Sequence, residues 1–195
     1  MLGVLLVAAV AVARAEPERQ PIAVIVSATW DTPDEIQLTT LSRLYMGRVT
    51  RWAGRRIERY ELAPGSVARS AFASRVMGRS ERELEDYWLE QALTGGAIPP
   101  REVDAVAEMR RIIANRAGSI GYLPLAALQP EDSGRLRILA VRVDGAAFRP
   151  DDARYPIQMT ILPNDAPPAS RSVPERDAAL SGTRQLDRSS HSGHP

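Results

Sequence analysis

The chain has 195 residues, 25 basic and 24 acidic, with no Cys and two His, and every basic residue is Arg. Without a thiol there is no cysteine nucleophile, disulfide or thiolate metal site, and without Lys there is neither a P-loop lysine nor a Schiff base. His191 and His194 both sit at the extreme C-terminus, which leaves a Ser-His-Asp triad without a well-placed base, so binding is favoured over catalysis and no catalytic residue is assigned.

Residues 1–15 read as a secretory signal. Residues 2–13 are uncharged and largely apolar, too short a run for a spanning helix, which needs about 20. Ala13-Arg14-Ala15 puts small residues where a signal peptidase reads, so cleavage is expected before Glu16. No Lys or Arg precedes the apolar run, and the alternative reading is a buried N-terminal strand or helix. The expected location is periplasmic or secreted, with no transmembrane segment left after cleavage.

Residues 21–27 (PIAVIVS) form a continuous, β-branched apolar run and predict a strand buried on both faces, as in a parallel or mixed sheet. Residues 28–37 read as a loop. Thr39 or Thr40 can cap a short helix with Leu41, Leu44 and Tyr45 inward and Gly47 at its end. A strand follows over 56–62. Pro64-Gly65-Ser66 then introduces a helix over 67–77, with Ala68, Ala71, Phe72 and Val76 near one face and Gly78 as its stop. Ser80 and Glu83 make a capping-box pattern for a third helix, whose buried side is expected from Leu84, Tyr87, Trp88, Leu89 and Ala92. Thr94-Gly95-Gly96 ends it, and Pro99-Pro100 is a rigid turn. A fourth helix starts at Asp104, with Val106, Met109, Ile112 and Ile113 inward, and closes over 115–118. Strands are predicted at 119–123, 136–143 and 157–162.

The expected class is therefore α/β or α+β, a small mixed sheet flanked by helices. Residues 16–163 form the domain. Residues 164–195, rich in Ser, Pro, Asp and Arg and without an aromatic, read as a disordered tail. His191 and His194 there lack a third ligand, so no metal site is assigned. No cofactor is implied.

Charge is unevenly spread. Arg43, Arg48, Arg51, Arg55, Arg56, Arg59, Arg69, Arg75 and Arg79 are joined by only two acids, Glu58 and Glu61, and an acid-rich stretch from Glu81 to Glu90 follows. A basic face attracts phosphate-bearing partners, although a solvated Arg-rich face is the simpler reading. Nucleic acid is not expected, since no binding motif accompanies the charge.

Several phrases fall in a familiar order. Met46-Gly-Arg-Val-Thr-Arg-Trp52 with Gly54 resembles the GxxTxW…G segment of phosphate-type periplasmic solute-binding proteins. Gly65-Ser66 with Phe72 resembles their anion-binding turn. Tyr87-Trp88, Gly95 or Gly96 and Pro99-Pro100 follow, then Gly118-Ser-Ile-Gly-Tyr122, then Val143-Asp144-Gly145 with Tyr155-Pro156-Ile157. The resemblance covers residues 22–163. It implies one lobe of a type II periplasmic-binding-protein-like fold from an ABC transporter system. No second lobe has a counterpart before Pro21. Trp52 and Trp88 are expected in the core and Tyr122 and Tyr155 near the former hinge. Trp30 is open to a ligand or partner surface, with packing favoured.

If an oxyanion such as phosphate binds, the resemblance puts it at Gly65, Ser66 and Arg69. First-turn amides lack intrahelical acceptors and the helix dipole favours an anion. Ser66 adds a hydroxyl and Arg69 a paired donor. The family turn reads Ser-Gly-Thr, whereas Val67 and Ala68 follow Ser66 here. Ser66 acting as a plain helix cap, with Arg69 paired to Glu61 or Glu83, is the alternative. The function expected is thus non-enzymatic oxyanion binding by an exported lobe. The other reading is an envelope or transporter partner docking on a lobe kept as scaffold.

Overall fold

The structure is a computed structural model that describes residues 17–162. The expected signal segment and tail lie outside the described residues. Strand β1 (Glu18–Ser27) is followed by β2 (Glu35–Gln37), α1 (Leu38–Tyr45), β3 (Arg51–Trp52), β4 (Arg55–Arg56) and β5 (Glu58–Leu62). Then come α2 (Val67–Phe72) with a wider π turn at Ala73–Met77, α3 (Glu81–Thr94), β6 (Arg101–Val103) and α4 (Val106–Ala114). The described chain closes with β7 (Ser119–Pro124), β8 (Leu136–Val143), β9 (Ala146–Phe148) and β10 (Gln158–Ile161).

The main sheet is mixed, in the order β2-β8-β1-β7-β5-β6, with β10 paired to β1 and β9 to β8. β1 runs antiparallel to β7, β8 and β10. β5 runs parallel to both β6 and β7. Ile22, Ala23, Val24, Ile25 and Val26 are all fully buried. An unbroken apolar strand suits this place because both of its faces are covered. The mixed sheet with flanking helices is the class the sequence predicts.

The helices meet the sheet through aromatic rings. Phe72 of α2 stacks on Tyr122 of β7 at 3.8 Å between centroids, and Tyr45 of α1 packs edge-on against Phe72 at 4.7 Å. Each buried phenol has a partner, as burial demands. Tyr45 donates to the Tyr60 carbonyl at 3.0 Å, Tyr155 donates to the Ile22 carbonyl at 3.0 Å, and the Tyr122 oxygen accepts from the Leu62 N–H at 3.4 Å.

Several local expectations change. α1 begins at Leu38 with Gln37 as its cap residue and no side-chain cap, so neither Thr39 nor Thr40 starts it; β2 runs directly into the helix and supplies the extended residue. Likewise α4 is preceded by Ala105, without a side-chain cap from Asp104. The predicted 56–62 strand is divided. β3 and β4 form a separate hairpin around Ala53 and Gly54, both at positive φ, as a tight two-residue hairpin turn requires. The capping box of α3 is present: Ser80 Oγ accepts from the Glu83 N–H, and the Glu83 carboxylate accepts from the Ser80 N–H at 2.7 Å.

α3 buries much less than expected. Leu84 is buried and Tyr87 and Trp88 are half-buried, but Leu89 is 62% exposed and Ala92 is also exposed. At about 100° per residue, Leu89 lies about 140° around the helix from Leu84. Only the stripe of Leu84, Tyr87 and Trp88 reaches the core. Trp30 is 2% exposed and packs edge-on against the half-buried Trp52 at 5.5 Å, so it forms part of the core rather than a surface.

α4 packs on β7 at Gly121. A Cβ there would come 2.6 Å from Met109 Sδ and 3.1 Å from Ile113 Cγ1, both in fully buried side chains. Gly121→Ala is expected to destabilise the domain by about 1–3 kcal/mol through overpacking, read as a lower urea midpoint with an unchanged slope.

Candidate anion turn and its buried ion pair

β5 ends at Leu62, and Pro64-Gly65-Ser66 turns the chain into α2. Gly65 has φ +81°, with open space around its Cα. Ser66 takes the cap position, but its side chain makes no capping hydrogen bond. The plain-cap reading of its hydroxyl is therefore corrected. The Ser66 carbonyl accepts from the Ser70 N–H at 3.0 Å, and Ser66 is half-buried.

An acid from the next helix occupies the turn. One oxygen of Glu81, in the first turn of α3, accepts from the Gly65 N–H at 3.1 Å, and its other oxygen accepts from the Ser70 hydroxyl. A carboxylate has two oxygens on a planar anionic group, much as phosphate offers several. The turn thus donates to a negatively charged group within the same chain.

Arg69 points the other way. It is 6% exposed, and its two terminal nitrogens donate to separate carboxylates, Glu61 at 3.1 Å and Glu102 at 3.3 Å. Of the two acids weighed as its partner, Glu61 is the one found; Glu83 closes the α3 capping box instead. The Arg69 Nε is buried with no hydrogen-bond partner among the described residues. Arg69 ties α2 to β5 through Glu61 and to β6 through Glu102.

The charge balance here is unusual. Glu61 is 2% exposed. Burial pushes its carboxyl up from 4.5 to about 7; Arg69 pulls it down, while Glu102 and Glu81 push it further up. Burial also raises the Tyr122 phenol, with Glu61 adding to the effect. Three acids gather around one buried cation, so Glu61 gives up its proton at a higher pH than an open carboxyl does.

Gly65, Ser66 and Arg69 are brought within one turn of helix, but only Gly65 and Ser66 face outward. The sequence does not mark Ser70, Glu81 or Glu102 as site residues, and Glu81 enters there only as the start of an acid-rich stretch. Ser70 follows Ser66 at helical spacing, a signal that is legible. Glu81 reaches back across the bend between two helices, and no spacing rule reports that. Among the described residues there is no group of three or more His, Cys, Asp or Glu arranged to hold a metal, and no helix is long and apolar enough to cross a membrane.

The fold is shared with proteins of solved structure. A protein from Clostridium perfringens, described as a phosphate ABC transporter substrate-binding protein and solved with bound phosphate, matches 73% of this chain and 54% of its own at 17% identity and a TM-score of 0.56. An ABC-type phosphate transport receptor from Vibrio cholerae matches 73% of this chain and 55% of its own, at 14% identity and 0.54. PstS from Borrelia burgdorferi matches 75% of this chain and 57% of its own, at 15% identity and 0.56. This chain spans a little over half the length of these structures, as a single-lobe match does. No protein-family model matches the chain, and no curated protein is similar to it in sequence.

Glu61 links folding to proton uptake. The folded chain holds its proton up to about pH 7, while the reference value for an open chain is 4.5. Its stabilising contribution is therefore full below pH 4.5 and is lost as pH rises to 7. Stability measured by urea unfolding is expected to fall between pH 5 and pH 8, by an amount on the order of 2–3 kcal/mol. Glu61→Gln, which stays neutral, is expected to flatten that slope.

Proposed function

We propose that this chain, which carries a fold shared with phosphate-type substrate-binding proteins, is an exported, non-enzymatic lobe that binds an oxyanion at Gly65 and Ser66. Phosphate is the first candidate. The observation that carries this reading is the Glu81 carboxylate on the Gly65 N–H and the Ser70 hydroxyl. Those donors already accept an anion, and a ligand would take the same place once Glu81 swings out. Ser66 adds a hydroxyl with no capping role. Arg69 contributes as a charge beneath the turn, held by Glu61 and Glu102.

Glu81 makes this a site with a built-in competitor. A tethered carboxylate raises the ligand concentration needed for occupancy, because the bound form must first break its two contacts. Weak binding by the native turn follows.

A second reading, an envelope protein-interaction module, draws on a different observation. Leu89 and Leu93 lie one turn apart on α3 and are 62% and 80% exposed. Crosslinking in envelope extracts tests it. A partner lost on changing both leucines to Glu supports docking through α3, and a strictly monomeric chain that captures nothing counts against it.

Calorimetric titration with inorganic phosphate at low salt tests the leading reading. The native chain is expected to give weak heat at millimolar phosphate. Glu81→Ala is expected to tighten binding about tenfold, which corresponds to about 1.4 kcal/mol. If neither protein gives heat or a thermal shift at millimolar phosphate, the ligand reading fails.

A further inference from the structure

The basic block has a second concentration of charge, away from the turn. Two adjoining hollows of about 370 and 410 Å³ share Arg56, Arg59 and Ile98 as lining residues. Arg101 lines the first and Arg48 the second. Glu58 is the one acid on either lining, and it is already engaged. It accepts from Arg116 at 2.6 Å and from the Tyr60 hydroxyl at 2.8 Å, with Arg101 3.9 Å away. Hydrogen bonds from Arg116 and Tyr60 lower its carboxyl from the ordinary value.

Arg59 is fixed without being neutralised. Its two terminal nitrogens donate to backbone carbonyls, Leu44 at 2.8 Å and Ile98 at 2.8 Å, and among the described residues it makes no ion pair with an acid. A guanidinium has five N–H donors, so three remain after those two bonds. Arg48 and Arg56 are exposed and also make no ion pair among the described residues. The wall beside Arg59 is closely fitted. Gly47 has φ +69°, and a Cβ there would come 2.5 Å from Ala97 Cβ and 3.1 Å from an Arg59 terminal nitrogen. Only glycine lets the 97–98 loop close on α1 and hold that arginine.

We propose that this double hollow binds a multiply phosphorylated anion, such as a short polyphosphate or a lipid headgroup carrying two phosphates. Four arginines face it against one engaged acid, a surplus that attracts anions and is screened by salt. Arg59 is preorganised, so little side-chain entropy is lost on binding. Two hollows joined at Arg56 and Arg59 suit a ligand with more than one phosphate group, each meeting a different arginine. The site is separate from the Gly65 turn. It sits at the start of β5, whereas the turn follows the end of that five-residue strand, about 15 Å along the chain.

Titration with sodium tripolyphosphate at low salt, paired with cosedimentation on phosphatidylcholine vesicles containing cardiolipin, whose headgroup carries two phosphates, tests this. The probes are the native chain and Arg48→Ala/Arg56→Ala, both positions being exposed. Unchanged circular dichroism and thermal midpoint confirm that the variant is folded. The native chain is expected to bind at least one probe, more weakly as salt rises, and the double variant to lose about tenfold or more. Binding to tripolyphosphate alone identifies a soluble ligand, and binding to vesicles identifies a headgroup. Binding to neither, or equal binding by the double variant, overturns the proposal. Phosphate binding by Glu81→Ala is read separately, so the turn reading and this one can fail independently. The double variant is expected to leave that phosphate signal intact.

Discussion

The Arg69–Glu61 ion pair is the contact on which this end of the molecule depends. Both side chains are withdrawn from water. Burying two charges is costly, and their attraction offsets that cost only when the geometry is good and the remaining donors are met. One nitrogen of Arg69 reaches Glu61, the other reaches Glu102, and the Nε has no partner among the described residues. The pair fixes the rotation of α2 about its own axis, since Arg69 has to face the sheet. Phe72, three residues on, is thereby set on Tyr122, and the Gly65–Ser66 turn is left facing out.

That constraint explains why the turn holds a carboxylate. With Arg69 committed to the interior, the Gly65 N–H has no acceptor on its own helix, and the Ser70 hydroxyl reaches only the Ser66 carbonyl there, at 3.3 Å. Glu81 supplies one from the start of α3. The same acid adds to the field that pushes the Glu61 carboxyl up toward 7. The turn, the ion pair and the capping-box helix form one electrostatic unit, in which moving Glu81 changes the charge felt by Glu61.

The two ends of β5 therefore differ in sign. Toward Leu62 the strand meets Glu61, Glu81 and Glu102 around a single buried cation. Toward Glu58 it meets Arg48, Arg56, Arg59 and Arg101 around a single engaged acid. The excess of arginine over acid between residues 43 and 79 is visible in sequence, but its partition is not. Arg69 belongs to that run by position and to the acidic end by contact. A charge count along the chain cannot register this, because two of the pairs at these ends close over many residues: Arg69 with Glu102 spans 33 positions and Arg116 with Glu58 spans 58.

Patterns of short range carried the rest of the legible information. The unbroken run from Ile22 to Val26 has the composition of a strand covered on both faces. Gly78 and Gly95 end their helices in the left-handed conformation. Ser80 and Glu83 close a capping box whose geometry lies within four residues. The sequence by itself determined these, along with the mixed α/β class and the order of the turn, because each depends on backbone preference or on neighbours one helical turn apart. The short strands β2, β6 and β9 were not legible, since three residues carry too little periodicity and form only because a longer partner is already in place. Tertiary structure alone decided which face of α3 is buried, that Trp30 packs on Trp52, and that Glu81 meets the Gly65–Ser66 turn. Those outcomes depend on which elements come to lie side by side, and that is settled by the whole sheet closing around β1.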